Sequence, residues 1–293
     1  MSQSVATRMM LAADAILTSP IWVEFRDCSL AGKRQFGSTE GHRGTRQPAS
    51  CRARILSDMC DGTIAGRLSV TEIDYLMPLA LGTTASSTLV PGETINAFFA
   101  LVDKVAALYL YNGLRINTFS LSGSELNYLD WSFGCLGLTE TTYGSAWPVS
   151  PIAPECGTAF AFNDVVFTYS GTTYKPSTFT LNINNNLQPL TENSISPYSY
   201  ETGAMEVSLD MTFDFRANNL ALYRAALAGA AASLAMSDGT TTYTFSFANL
   251  KIPDGAPTIP QSGRVNMPLK MMAYRATNAT VAAADNVLRF LKT

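Results

Sequence analysis

The second half of this chain repeats the plan of its first half. A pattern carried twice at long period marks an architecture made by copying one folding unit. In the first half a polar strand CRARILS (residues 51–57) leads to a short helical run TEIDYLMPLALG (71–82). An apolar strand AALYLYNG (106–113), a paired strand LRINTFSLSG (114–123) and a closing strand LNYLDWSFGCLG (126–137) follow. In the second half the strand MEVSLDMTFDF (205–215) leads to the helical run NNLALYRAALAG (218–229). AASLAMSDG (231–239), TTYTFSFANLKI (241–252) and GRVNMPLKMMAY (263–274) come next. Both helical runs close on a glycine. Asn112-Gly113 and Asp238-Gly239 supply the positive φ angles that tight hairpins need.

Strand signals dominate. Glu206, Ser208, Asp210, Thr212 and Asp214 alternate with Val207, Leu209, Met211, Phe213 and Phe215. A period of two gives a strand with one polar and one apolar face. Tyr243, Phe245 and Phe247 share a face in the same way. Thr71 can cap the first helix, with Asp74 three residues on, and Pro78 predicts a kink or an early end. Asn218 or Asn219 can cap the second, whose Leu220, Tyr223, Ala226 and Leu227 follow helical spacing.

Two long polar segments, 31–50 and 184–203, each precede the first strand of a half, so they are equivalent in the repeat. Each predicts a long β-arm or loop. Connections of that length in a compact chain are usually functional or disordered. A third insertion, 83–98, belongs to the first half alone. The link 139–157, rich in Pro, Gly and Ser, divides the chain into residues 1–145 and 146–293.

Composition narrows the function. Of 293 residues, 47% are apolar and 15% charged, enough for a sizeable core and for subunit contacts. The net charge of −3 offers no basic field for gripping nucleic acid. Cys28, Cys51, Cys60, Cys135 and Cys156 are odd in number and lack CxxC spacing, which predicts buried reduced thiols rather than a zinc site or a disulfide framework. Asp14 breaks the apolar stretch near the N-terminus, which makes a poor signal peptide. The apolar run 220–236 is interrupted by Arg224 and Gly229 and is too short to cross a bilayer.

Catalytic constellations are missing. His42 is the one histidine, in a Gly/Arg-rich loop, so no triad has its usual base. No phosphate-binding loop, dinucleotide fingerprint or HExxH pair occurs, and nothing in the sequence requires a metal or cofactor. Carboxylates four apart on one strand, such as Glu206 and Asp210, lie about 13 Å apart. That is too far for either glycosidase mechanism. Tyr109, Tyr111, Phe119, Tyr128, Trp131 and Phe133 alternate along strands without interleaved Lys or Arg, as core and interface residues do.

With this organisation the chain resembles the tail tube proteins of long-tailed phages. The likeness is carried by SLDMTFDFRANNLALYRAALAG (208–229), by MSDGTTTYTFSFANLKI (236–252) with IPQSGRVNMPLKMMAYRA (259–276), and by FTLNINNNLQPLTENS (179–194), which is similar to the start of an inter-ring arm. It is best over residues 155–280. The first half departs from the pattern at 83–98 and at Pro78. The resemblance implies a mainly β (α+β) fold: two tandem tube-type β-sandwich or half-barrel domains, each with one flanking helix, completing a β-barrel in the oligomer. It implies six tube domains per ring, hence a homotrimer of two-domain chains. It implies a channel passed by tape-measure protein and double-stranded DNA without tight binding, and tail terminator and distal tail proteins at the ends. No membrane partner is implied.

On that reading Glu206, Asp210 and Asp214 are the candidates for the lumen lining, since an acidic or neutral wall repels phosphates. Candidates for the inter-ring arms are Phe36, His42, Arg43, Arg46, Leu190, Tyr198 and Tyr200. Arg52 and Arg54 of the first-half strand break the match to the acidic stripe. Either they pair with acids of the adjoining subunit, or the register of that strand differs. Two rival readings share the features: another virion structural protein (tail terminator, distal tail or decoration protein), and a carbohydrate-binding β-sandwich.

Overall fold

Alternation makes strands, and the chain is mainly β, with apolar faces turned inward. The computed structural model describes residues 7–13, 17, 20–37, 54–149, 157–216, 219, 221–222, 229–254, 257, 265–276 and 286–293. The first half forms β1 (Met9–Ala12), β2 (Ile21–Val23), β3 (Asp27–Cys28), β4 (Ala31–Phe36), β5 (Ile55–Arg67), α1 (Val70–Leu81), β6 (Thr88–Leu89), β7 (Phe98–Asp103), β8 (Leu108–Ser124), β9 (Asp130–Gly137) and β10 (Thr139–Gly144). The second half forms β11 (Val165–Tyr169), β12 (Thr172–Tyr174), β13 (Thr178–Asn184), β14 (Gln188–Leu190), β15 (Ser199–Glu201), β16 (Glu206–Asp214), β17 (Ala230–Ser237), β18 (Thr242–Asp254), β19 (Asn266–Tyr274) and β20 (Arg289–Lys292).

The strands pair antiparallel throughout. In the first half the order is β2–β1–β7–β8–β9–β5–β4. In the second it is β12–β11–β17–β18–β19–β16–β13, the same sequence of hairpins and crossovers. β10 folds back on β8 as β20 does on β18. The polar segments 31–50 and 184–203 leave from corresponding strands, β4 and β13, and return to β5 and β16. The halves are joined edge to edge, where the end of β8 pairs with β13 from Ser124↔Thr178 to Thr118↔Asn184. The sheet does not close on itself within the chain.

One large core fills the space behind the sheet. Across the joined strands it takes the rows Trp131, Leu121, Leu181, Leu209, Met271 and Phe133, Phe119, Ile183, Val207. Trp131 stacks on Phe133 at 5.2 Å and donates its indole N–H to the Arg67 carbonyl at 2.9 Å. The near-N-terminal apolar stretch is β1, whose Met9, Met10 and Leu11 are buried. No helix among the described residues is long and apolar enough to cross a membrane. Cys60 and Cys135 are buried free thiols and Cys28 is half-buried; burial pushes the Cys60 thiol up to about 12, with Glu140 and Asp61 adding to it.

Several expectations change. Asn112-Gly113 is not a hairpin, because β8 runs unbroken through it. Gly113 has φ 63 and sits where β8 stops pairing with β7 and β10 and starts pairing with β9, so its positive φ serves a change of partner. A Cβ there would lie 2.7 Å from Leu138 Cδ1. We expect Gly113→Ala to cost about 1–3 kcal/mol from left-handed strain and overpacking, read as a lower urea midpoint. The strand that precedes β8 and matches β17 is therefore β7, of which only Phe98 falls within the expected insertion 83–98. Asp238-Gly239 does turn the β17–β18 hairpin, with Gly239 at φ 89 and Asp238 Oδ1 accepting the Thr240 and Thr241 amides at 2.8 and 2.6 Å.

The N-cap position of α1 is Ser69 rather than Thr71, without a side-chain capping bond, and the helix continues past Pro78 to Leu81, with Gly82 in the left-handed conformation. Pro78 lies within the last turn, where it can donate no bond to the Asp74 carbonyl, so packing must hold that turn. Leu76, Met77, Leu79, Ala80 and Leu81 are buried and hold that turn in place. Asp74 does not cap. It accepts from the Tyr243 hydroxyl at 3.0 Å and from Lys292 Nζ at 2.5 Å, tying α1 to the second half. Of the second helical run, Ala221 and Leu222 are helical, and most of the rest lies outside the described residues.

Candidate functional site

The face of the joined sheet opposite the core carries short polar side chains across both halves. The register lines them into rows. One row runs Arg67, Asp130, Ser122, Thr180, Asp210, Lys270 over β5, β9, β8, β13, β16 and β19. The next runs Ala65, Ser132, Ser120, Asn182, Ser208, Met272, and a third runs Thr63, Gly134, Thr118, Asn184, Glu206. At strand spacing the six-strand rows are about 25 Å wide. All these residues are half-buried or exposed, and the alternate positions on the same strands are core.

Glu206, Asp210 and Asp214 share this face, as the alternation required. Glu206 is exposed at the arm end of β16. Asp210 sits mid-strand, opposite Thr180 and Lys270. Asp214 lies at the far end, 2.7 Å from an Arg216 amino group. The row charges thus largely cancel: Arg67 and Lys270 stand in one row with Asp130 and Asp210. Arg67 also lies over the Tyr128 ring at 4.2 Å, and Asp130 is 3.4 Å from Arg26.

The mismatch at Arg52 and Arg54 came from the drawn register. Counting from the last pairs, Arg67↔Asp130 and Asp214↔Asn266, the counterpart of Glu206–Asp214 is the stretch from Met59 to Arg67. Arg54 precedes β5 in the arm, and Arg52 lies outside the described residues. The first-half positions matching Glu206, Asp210 and Asp214 are therefore Met59, Thr63 and Arg67. The Ser/Thr/Asn rows on β8 and β13 were not singled out from the sequence, although the alternation in TFSLSGS carried the signal.

The arms form the second part of the site. β4 and β5 pair as a long hairpin stem that leaves the sheet, closed at Gly37 by a bond from its amide to the Arg54 carbonyl at 2.9 Å. Phe36 and Leu56 are exposed on it, at 61% and 59%. His42, Arg43 and Arg46 lie outside the described residues. The second segment forms the small hairpin β14–β15. Its Ile195 carbonyl accepts the Asp58 amide at 2.8 Å, so the two arms share a root. Ile195 and Tyr198 are exposed there, with the Tyr198 hydroxyl 2.6 Å from Glu192 Oε1.

Tyr200 does something else. It is buried with Ile95 and Leu187, and its hydroxyl donates to the Gly137 carbonyl at 2.8 Å. Burial is the main reason its pKa rises to about 12, and nearby Arg115 opposes that rise. Arg115 also donates to the Ile95 carbonyl at 3.1 Å and to Ser199 at 3.3 Å, and Thr202 donates to the Glu93 carbonyl at 2.8 Å. The insertion 83–98 thus helps to cradle the root of the second arm, and Leu190 is half-buried in β14. Tyr200→Phe removes the side-chain bond to the Gly137 carbonyl. We expect a loss of about 1 kcal/mol and faster amide exchange in β14–β15, with the remaining sheet unchanged. Unchanged exchange would remove Tyr200 as the anchor.

Among the described residues no cluster of three or more His, Cys, Asp or Glu could hold a metal ion. A family model described as phage tail tube protein matches residues 43–271, spanning the joined sheet, the insertion and the second arm. The search of curated proteins returns no match.

Proposed function

The chain belongs to the phage tail tube protein family, and from that premise we propose that it is the major subunit of the tube, polymerising as stacked rings around a channel. Its role is structural and its place is the phage virion; assembly takes place in the host cytoplasm. The chain acts as two tandem tube domains, 1–145 and 146–293, so three chains supply the six domains of a ring. Neighbouring chains continue one another's sheets until the barrel closes, which removes the exposed strand edges of the single chain. Tape-measure protein and then DNA occupy the channel, and terminator and distal tail proteins cap the ends.

The observation that carries this reading is the continuous polar face across the β8–β13 joint. A conduit for DNA must not hold its cargo, and phosphate affinity comes from Lys and Arg. Rows of Ser, Thr and Asn with locally balanced charges suit a surface over which a polyanion slides. They do not suit a lectin groove, which gathers aromatic and hydrogen-bonding groups in a concavity. Electron microscopy of the purified protein tests the proposal. We expect open tubes whose end-on class averages show three chains and six similar lobes per ring. Six chains per ring, or single closed rings that never stack, would overturn it.

A further inference from the structure

One arginine on the polar face has no acid of its own. Arg67 lies over the Tyr128 ring at 4.2 Å, and among the described residues its guanidinium makes no hydrogen bond or ion pair. Asp130, opposite it across β5 and β9, is 3.4 Å from Arg26 instead. The backbone that carries Tyr128 is fixed on both sides. The Asn127 amide donates to the Ser124 carbonyl at 3.1 Å, the Asn127 carbonyl accepts from the Phe162 amide at 2.9 Å, and Tyr128 bridges to Ala161. Tyr128 thus holds the Arg67 guanidinium beside a cleft of about 340 Å³ that both residues line.

The cleft straddles the joint between the halves. Ser124 faces Thr178 and Ser122 faces Thr180 across β8 and β13, and all four line it. Two facing pairs, two residues apart, set four hydroxyls on a rectangle of about 5 by 7 Å. The side chains of Ser122, Thr178 and Thr180 make no hydrogen bond among the described residues. Ser124 Oγ accepts from Asn127 Nδ2 at 2.9 Å, which leaves its own proton free to donate. Within the cleft Arg26, Arg67 and Asp130 leave one positive charge. The next acid along the row, Asp210, stands beyond Thr180 and faces Lys270. In the second half the positions that match Arg67 and Asp130 are Asp214 and Asn266, so the arrangement is made once per chain.

We propose that this cleft binds one phosphodiester group of the DNA in the channel. One net positive charge matches one monoanionic diester. Two guanidiniums and four hydroxyls offer more donors than a planar carboxylate can use, and they suit a tetrahedral oxyanion. The channel reading above supplies the source of the phosphate; the anion site itself stands without it. The wall still does not hold its cargo. Affinity for a polyanion grows with the number of phosphates neutralised at once, and each chain neutralises one. The duplex is touched at single phosphates and slides from one to the next.

Dimethyl phosphate, a minimal diester, tests the site by amide NMR on the full chain kept below its assembly concentration. We expect saturable shifts at Ser122, Ser124, Thr178 and Thr180, with acetate binding more weakly. Arg67→Met should weaken the diester about tenfold or more. Thr180→Val, which keeps the shape and removes one donor, carries the test should Arg67→Met not fold, with a loss of about two- to tenfold. No saturation, shifts elsewhere, acetate bound as tightly as the diester, or full affinity in the folded variants overturns the site. A short DNA duplex should move the same amides, with a salt slope of about one phosphate. A duplex that leaves them unmoved, or inorganic phosphate bound more tightly than the diester, assigns the site to the free ion and overturns the DNA source. Tubes formed by a chain that binds no diester sink the site and leave the channel reading standing. Diester binding by a chain that never forms tubes keeps the site and brings down the channel reading.

Discussion

A chain lacking residues 36–45 folds and stays unassembled. This is the expected result because the deleted stretch begins where β4 leaves the sheet, at exposed Phe36, and the core rows lie elsewhere. At the shared root of the arms Phe36, Leu56, Ile195 and Tyr198 expose apolar surface at 61%, 59%, 51% and 51%. Grouped large apolar residues at an exposed projection mark a contact with another molecule. Burying one such side chain is worth about 1.5–3 kcal/mol. Losing it from each contact weakens association by roughly tenfold to a hundredfold, and a ring stack multiplies that loss over three chains. The thermal midpoint of the deleted chain should stay within about 2–4 °C of the native one, with a monomer on size exclusion and no tubes in micrographs. Normal tubes from the deletion would take the first arm out of assembly. The second arm enters this prediction differently from what its composition suggested. A polar segment of twenty residues (184–203) reads as free in the single chain, yet Tyr200 on β9, Ser199 on Arg115 of β8 and Thr202 on the insertion dock its root. Its exposed part is the turn around Ile195 and Tyr198.

The strands that could be read from the sequence are those whose two faces differ. β16 alternates charged or hydroxyl residues with large apolar ones, and its bounds and facing were legible almost to the residue. β8 was misread as two strands because Asn112-Gly113 is the strongest local hairpin signal, and local sequence does not reveal that a strand is changing partners. The β11–β12 hairpin was missed although Ser170 and Gly171, both at positive φ, form a two-residue turn between VVFTY and TTY. β10 and β20 are short and take their pairing from β8 and β18, so nothing within them specifies it. The acidic stripe was legible as a pattern, but its charge balance was not. Arg67 and Lys270 come from strands far apart in sequence, and the register of six strands puts them in one row with Asp130 and Asp210. Long-range pairing of that kind sets electrostatics and leaves no local trace.

That balance sharpens what happens when Glu206, Asp210 and Asp214 are all changed to Lys. Tubes should still form, because the three side chains point away from the core and lie on a face of small polar neighbours. At row level the change is severe. Asp210→Lys places a second cation beside Lys270, and Asp214→Lys removes the partner of Arg216. The row of Arg67, Asp130, Asp210 and Lys270 then carries a net positive charge where it had none. With three chains per ring, nine new cations face the channel at every level of the tube. Screening confines their reach to about 8–10 Å at physiological salt, so they act on DNA that touches the wall, as a filling duplex does. Each phosphate neutralised releases counterions and adds to binding. DNA release from mutant virions should therefore slow by about tenfold or more, and raising the salt should relieve it, since the slope of affinity against salt reports the number of phosphates held. Asp210→Asn alone, which leaves Lys270 without its cross-strand acid, should show the same effect in weaker form. Should this face lie on the outside of the tube, the triple variant would assemble and eject at the native rate at every salt concentration. Intact tubes with that behaviour would end the assignment of β16 to the channel wall.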